Sequence, residues 1–137
     1  MRIMFTVLGS PRTKKNSQRM IPVTARDTGK TRMIPLPSAA YEQYKNDFIW
    51  QIPHTVKNKK IAVKVNLKCV YYMDTRRKVD LVNLHEAVQD ILVDAGVLLD
   101  DNSDIIGSTD GSRVLYDKQN PRVEIEIESV DGDRLFD

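Results

Sequence analysis

The pattern of apolar and polar positions is most regular in residues 80–104, DLVNLHEAVQDILVDAGVLLDDNSD. Apolar residues recur there at helical spacing, so they share one face that is expected to pack on a core. Asp80 precedes them as an N-cap residue would, and Gly96 follows where a chain can leave a helix in the left-handed conformation. We therefore predict one amphipathic helix between Asp80 and Gly96. The short apolar run after it, residues 97–99, could return as a strand.

Alternation of apolar and polar residues predicts two longer strands, residues 61–71 and 122–130. Ser38 offers an N-cap for a second helix that runs to about Gln51, before Pro53 ends it. Two main helices with strands favour an α/β (α+β) fold, in which the helices pack on a single mixed sheet of about four or five strands. The shorter predicted strands are residues 2–8, 31–36, 104–109 and 112–116, the last two joined as a hairpin at Asp110 and Gly111.

The length of 137 residues predicts one domain, which we place at residues 1–130, with a frayed tail at residues 131–137. No run approaches the roughly 20 apolar residues of a membrane span, and the N-terminal stretch turns polar too soon for a signal peptide. Cys69 is the one cysteine of the chain, so an intrachain disulfide is excluded. A reducing, cytoplasmic location is therefore expected.

The net charge of +2 hides an asymmetry between the two halves of the chain. Residues 1–78 hold 17 Lys and Arg against 4 Asp and Glu, whereas residues 79–137 hold 4 against 15. A basic half is typical of proteins that bind nucleic acid. A second interpretation stays open, in which the two halves simply neutralise each other within the fold.

Carboxylates surround the predicted central helix, and a basic run leads directly into them. Oxygen ligands without clusters of Cys or His favour Mg²⁺ or Mn²⁺ over Zn²⁺, and such a cation can activate water for attack on a phosphodiester. The alternative is structural: a helix cap at the start of the helix and a polar turn beyond its end. A strand–helix–strand unit could bring both ends of this group to one sheet edge. The carboxylates are Asp80, Glu86, Asp90, Asp100 and Asp101.

The stretch RRKVDLVNLHEAVQDILVDAGVLLDDNSDIIG, from residue 76 on, resembles the RusA family of Holliday-junction resolvases and related phage endodeoxyribonucleases. The early GSPRTKKNS and PSAAYEQY and the closing NPRVEIEI also resemble the family pattern. The resemblance implies a homodimer with a mixed sheet and two helices. It also implies binding to four-way or branched DNA, and paired symmetric nicks made with Mg²⁺ held by aspartates.

The same resemblance assigns roles to individual residues. Asp80 matches the first catalytic aspartate of the family and Asp101 the last, with Asp100 beside it. Two positions depart from the pattern: Val82 stands where the family has its second aspartate, and Glu86 stands where it has a functionally important lysine. Asn83 and Asp90 match positions that the family usually keeps acidic or amide.

Two interpretations of the departures stay open. In the first, the chain is a metal-dependent endodeoxyribonuclease whose Mg²⁺ or Mn²⁺ is held by Asp80, Asp101 and either Glu86 or Asp90. In the second, Val82 and Glu86 have abolished the metal site and left a non-catalytic protein that binds branched DNA. A protein-interaction domain is a third, weaker candidate. On the nuclease interpretation one of five cations replaces the missing lysine, and all five neutralise phosphates. They are Lys14, Lys15, Arg76, Arg77 and Lys78.

Overall fold

The computed structural model describes residues 1–14 and 18–137, so the predicted DNA contact Lys15 lies outside the described residues. The described residues form seven strands and two helices. In chain order they are β1 (Arg2–Leu8), β2 (Gln18–Thr24), β3 (Thr31–Pro37), α1 (Ala39–Gln51), β4 (Val65–Met73), α2 (Leu81–Asp94), β5 (Ile106–Ser108), β6 (Arg113–Tyr116) and β7 (Arg122–Ser129).

Strand β4 is the centre of a five-stranded mixed sheet, which confirms the predicted fold class. One edge of β4 pairs antiparallel with β7, and β7 pairs antiparallel with β1. The other edge pairs parallel with β5 and with β6. The alternate residues of β4 that point into the core are fully buried, as the alternating pattern predicts. These residues are Val65, Leu67, Cys69 and Tyr71.

Two strand predictions differ from the structure. The strand predicted from residue 61 begins at Val65, because Ile61 only forms an isolated bridge with Leu98. The predicted hairpin is wrong, because β5 and β6 do not pair with each other but follow one another along β4. The side chain of Asn66 accepts hydrogen bonds from Ser108 Oγ at 2.6 Å and Asp110 N at 2.8 Å. These bonds hold the turn against β4 and keep the chain on the same edge.

Both predicted helices are confirmed, together with their caps. Ser38 Oγ accepts a hydrogen bond from Tyr41 N at 3.1 Å, and Asp80 Oδ1 accepts one from Val82 N at 3.0 Å. Gly96 leaves α2 with a φ of 73°, which favours glycine over residues with a side chain. The predicted apolar face of α2 packs on the sheet through Leu84, Ala87, Val88, Ile91 and Leu92.

Helix α2 runs antiparallel to β4 and spans the sheet from end to end. Near its start, His85 Nδ1 lies 2.8 Å from the hydroxyl of Tyr71, close to the C-terminal end of β4. Just beyond its end, Leu99 N donates to Ile61 O at 3.0 Å, before β4 begins. Its 14 residues correspond to about 21 Å along the helix axis. The two ends of α2 therefore lie at opposite ends of the sheet.

Strands β2 and β3 form a separate two-stranded antiparallel sheet, which we call the ribbon. The sequence predicts a strand at residues 31–36 but none at residues 18–24, so it identifies β3 and misses β2. Among the ribbon side chains that the structure describes, no apolar one belongs to the hydrophobic core or packs against it. The core therefore leaves no amphipathic signal in β2 that would distinguish it from a loop.

The end of the chain packs on the body of the protein, which corrects the predicted fraying. Leu135 is only 3% exposed and lies in the core, and Phe136 packs against that core. The ammonium of Lys59 lies 5.4 Å from the centre of the Phe136 ring. Leu135 and Phe136 therefore attach the tail to the body of the protein. No helix among the residues that the structure describes has both the length and the apolar character to cross a bilayer.

Leu92→Ala and Leu99→Ala form a matched pair that tests the burial of α2. Leu92 is fully buried, so we expect its truncation to lower the free energy of unfolding by about 2–5 kcal/mol. Leu99 is 53% exposed, and the same truncation there should change it by less than about 1 kcal/mol. Urea denaturation followed by circular dichroism measures both, and equal losses would contradict the packing described.

Candidate active site

A basic loop follows the C-terminal end of β4 and leads into the cap of α2. The guanidinium of Arg76 lies 4.0 Å from the centre of the Tyr116 ring, at the neighbouring end of β6. Arg77 and Lys78 are exposed, and no ion pair among the described residues involves them. Three predicted phosphate contacts therefore lie together at one end of the sheet. Sequence reasoning misses Tyr116, because its contact with Arg76 joins residues 40 positions apart.

Asp80 stands at this basic end and has one carboxylate oxygen to spare. Its Oδ1 caps α2, whereas Oδ2 forms no hydrogen bond within the described part of the chain. The capping role predicted for Asp80 is therefore present, and it leaves the second oxygen accessible to solvent or a ligand. Val82 is 69% exposed on the first turn beside it. An aspartate at position 82 would meet no packing obstacle, but the valine contributes no ligand atom.

The middle of α2 carries Glu86 and Asp90, which lie one helical turn apart. Glu86 is exposed, and its carboxylate has no hydrogen bond or ion pair within residues 1–14 and 18–137. Asp90 Oδ2 accepts a hydrogen bond from Lys14 Nζ at 2.9 Å, with both side chains about one-third exposed. Lys14, predicted to meet phosphate, thus neutralises a carboxylate that was predicted to be catalytic. Lys45 forms a second such pair with Asp94 on the next turn.

Tyr41 lies beneath these ion pairs, where helix α1 meets α2. Its hydroxyl is buried and has no hydrogen-bond partner in the described structure. Burial raises the pKa of Tyr41 above its usual value, and the negative charges of Asp90 and Glu42 raise this pKa further. Tyr41 therefore stays neutral at ordinary pH.

His85 packs against the C-terminal end of β4. Its ring packs against Tyr71 with a centre-to-centre distance of 5.5 Å, and the two side chains share the 2.8 Å hydrogen bond. Burial lowers the pKa of His85 below its usual value. The ring is therefore held neutral against the end of β4.

Asp100 and Asp101 lie beyond the other end of α2, in a turn built from its own hydrogen bonds. Asp100 Oδ1 accepts from Asp101 N at 2.7 Å, and Asp100 Oδ2 accepts from the Asn102 side chain at 3.2 Å. Asn102 Oδ1 in turn accepts from Asp104 N at 2.9 Å. The Asp101 carboxylate is exposed and takes no part in these bonds. The predicted polar turn is present, and Asp101 is its outward-facing carboxylate.

The structure does not bring the predicted metal ligands together within one chain. Asp80 and Asp101 flank opposite ends of α2, so they are separated by about 20 Å. Glu86 lies six residues from Asp80, which is about 9 Å along the axis. Ligands of Mg²⁺ must all lie within about 2.1 Å of one ion. The described residues accordingly contain no group of three or more His, Cys, Asp or Glu side chains that could hold a metal ion.

The arrangement that a strand–helix–strand unit could produce, with both helix-flanking carboxylate groups at one sheet edge, is not present within one chain. The reason is the length of α2, which carries the chain back along the whole of β4 before Asp101 is reached. Asp100 and Asp101 lie near Ile61, which precedes the start of β4. Asp80 lies beyond the C-terminal end of β4.

The fold and the charges define an α+β domain in which basic loop residues adjoin an accessible carboxylate. The family model described as Endodeoxyribonuclease RusA matches residues 7–128 of the 137-residue chain. The chain therefore belongs to the RusA endodeoxyribonuclease family. A search of curated proteins finds no significant match.

A double-mutant cycle with Lys14→Met and Asp90→Asn measures the contact between these two residues. Because both side chains are partly exposed, we expect a coupling of about 0.2–1 kcal/mol in the free energy of unfolding. The coupling should shrink in 1 M salt, where the Debye length is only about 3 Å. A coupling that is insensitive to salt would contradict an ion pair open to solvent.

Proposed function

We propose that the protein is a metal-dependent endodeoxyribonuclease that resolves Holliday junctions or other branched DNA by paired symmetric nicks. The processes we propose for it are recombination, repair or phage DNA processing. The observation that carries the proposal is the basic loop of Arg76, Arg77 and Lys78 next to the accessible oxygen of Asp80. Membership of the RusA endodeoxyribonuclease family supports the same activity.

In this proposal Arg77 and Lys78 bind phosphates of the DNA backbone. Both side chains are exposed and unpaired within the described residues, so neither needs to break an ion pair. Arg76 contributes charge from a fixed position, because it stacks on Tyr116. The loop would then deliver the scissile phosphate to the start of α2, where Asp80 has a free carboxylate oxygen.

Lys14 is our candidate for the cation that replaces the lysine missing at position 86. Its ammonium contacts Asp90, one helical turn beyond Glu86, although it comes from the N-terminal segment. A positive charge is therefore supplied to the same face of α2 from outside the helix. Asp90 then acts by positioning Lys14, and Glu86 remains the exposed carboxylate of that face.

The proposed metal, Mg²⁺ or Mn²⁺, does not find a complete set of ligands in the described residues of one chain. We therefore propose a homodimer in which a second copy completes the site. A two-fold axis across α2 would place the end of one helix beside the start of its symmetry mate. Asp101 of one chain would then approach Asp80 of the other, with Glu86 about 9 Å further along that helix. Two equivalent sites would result, as paired symmetric nicks require.

One observation favours a second candidate function, a branched-DNA-binding protein without catalysis. Val82 leaves the first turn of α2 without a second carboxylate, and Asp90 is already neutralised by Lys14. The cations of the basic loop are unaffected by either change. In that case the protein would still bind branched DNA but would not cleave it.

Cleavage of an end-labelled synthetic four-way junction separates the two functions. We expect paired symmetric nicks with Mg²⁺ or Mn²⁺, and none with EDTA or with Asp80→Asn. Asp47→Asn is a matched control, because Asp47 is an exposed acid on α1 that has no part in the proposed site. It should cut as the wild type does.

Junction binding without cutting in either metal would reject the nuclease and support the binding protein. In that case Val82→Asp becomes the informative variant, because position 82 is exposed and accepts a carboxylate without repacking. Absence of both binding and cutting would reject both candidate functions.

A further inference from the structure

The ribbon of β2 and β3 is held together mainly by its own backbone. Its two strands pair in register from Gln18 opposite Pro37 to Thr24 opposite Thr31. The apolar side chains described for it take no part in the core, and an isolated two-stranded hairpin is only marginally stable in water. The ribbon is therefore a candidate for an element that binds a partner molecule.

The turn of the ribbon is well defined. Ala25 N donates to Lys30 O at 2.9 Å, and Gly29 N donates to Ala25 O at 2.9 Å. Asp27 Oδ1 accepts a hydrogen bond from Thr28 N at 2.9 Å, so this carboxylate is engaged within the turn. The turn thus presents its side chains from a fixed backbone.

These side chains are strongly basic. Arg26, Lys30 and Arg32 are all exposed, and none of them forms an ion pair with a residue in the described ranges. Asp27 is the one acid in residues 18–37 of the sequence. Three cations therefore outnumber the single acid at this end of the ribbon, which carries a net positive charge.

The sides of the ribbon are apolar and open to solvent. Met20 and Met33 are each 54% exposed and share a face with Pro22, because Pro22 pairs with Met33. Val23 is 38% exposed on the other face. Seven residues per strand give a length of about 24 Å, with the strands about 5 Å apart.

These dimensions fit a groove of DNA. The major groove is about 12 Å wide and admits a two-stranded ribbon, and apolar side chains can contact the methyl group of thymine there. Unpaired cations on a projecting turn match the phosphates that line such a groove. The charge therefore favours DNA over a second protein chain as the partner.

We propose that the ribbon is a second DNA-binding element, which lies in the major groove of a duplex arm while Arg26, Lys30 and Arg32 bind the flanking phosphates. The inference rests on the proposed function for its ligand, a branched DNA with duplex arms. In this inference the ribbon binds a duplex arm, and the loop of Arg76, Arg77 and Lys78 contacts the DNA near the cleaved phosphodiester.

The test compares two triple variants that remove the same charge. Arg26→Gln/Lys30→Gln/Arg32→Gln changes the ribbon turn. Its control, Lys60→Gln/Lys64→Gln/Arg134→Gln, removes three exposed cations near the start of β4 and in the tail. Both are made in an Asp80→Asn background, and their affinity for a four-way junction and a linear duplex is measured over a salt series.

We expect the ribbon variant to lose about tenfold or more in affinity for both DNAs, and the control to stay within about twofold of the parent. The slope of log affinity against log salt should fall by up to about 2.7, since each phosphate contact contributes about 0.9. Circular dichroism should be unchanged, because the ribbon is outside the core.

Equal affinity and slope for the two variants would overturn the ribbon proposal while the proposed function stands. Failure of the parent itself to bind either DNA would instead reject the proposed function. The double variant Met20→Ser/Met33→Ser tests the alternative partner of the ribbon, a second copy of the chain. The proposal would be rejected if sedimentation velocity showed that this variant converts a dimer to a monomer while the charge variant binds DNA normally. The ribbon would then contact a second copy of the chain.

Discussion

The packing of α2 along β4 is the constraint on which the rest of the structure depends. Its apolar face is buried on the sheet, and its two ends are fixed by contacts with opposite ends of β4, through Tyr71 at one end and Ile61 at the other. A helix of 14 residues is a rigid rod of about 21 Å. The carboxylates that flank it, Asp80 and Asp101, are therefore held apart by the same packing that stabilises the core. Removing this separation would require unfolding α2.

The same arrangement organises the charge. The strongly basic first half of the sequence supplies Arg76, Arg77 and Lys78 to the loop in front of Asp80, and it supplies Lys14 to the acidic side of α2. Part of the charge asymmetry is thus neutralised inside the fold, as the simpler interpretation of the sequence expected. The remaining cations are exposed at the basic loop and on the ribbon. A polyanion such as DNA is the partner that this distribution favours.

Local signals account for what the sequence predicts correctly. The caps at Ser38 and Asp80, the alternating residues of β4 and β7 and the periodicity of α2 each depend on neighbours in sequence, so their elements are predictable. Apart from the missed strand β2, the features that the sequence does not predict involve contacts between distant residues. Asn66 holds β5 and β6 on one edge of β4. Leu135, at the end of the chain, packs in the core, and Lys14 forms an ion pair with Asp90. The separation of the predicted site residues is likewise set by topology, which spacing along the chain does not reveal.

The measurement that tests this account most directly is subunit complementation between Asp80→Asn and Asp101→Asn. Each variant alone should fail to nick a four-way junction. After co-refolding, a site shared between chains predicts that mixed dimers regain one intact site, with Asp80 from one chain and Asp101 from the other, and therefore nick one strand. Co-refolding the double variant with the wild type should give inactive mixed dimers. Two results together would contradict the account. The mixture of single variants would show no more activity than either variant alone, and the mixed dimers of the double variant with the wild type would keep half of the activity. Both carboxylates would then belong to a site within one chain.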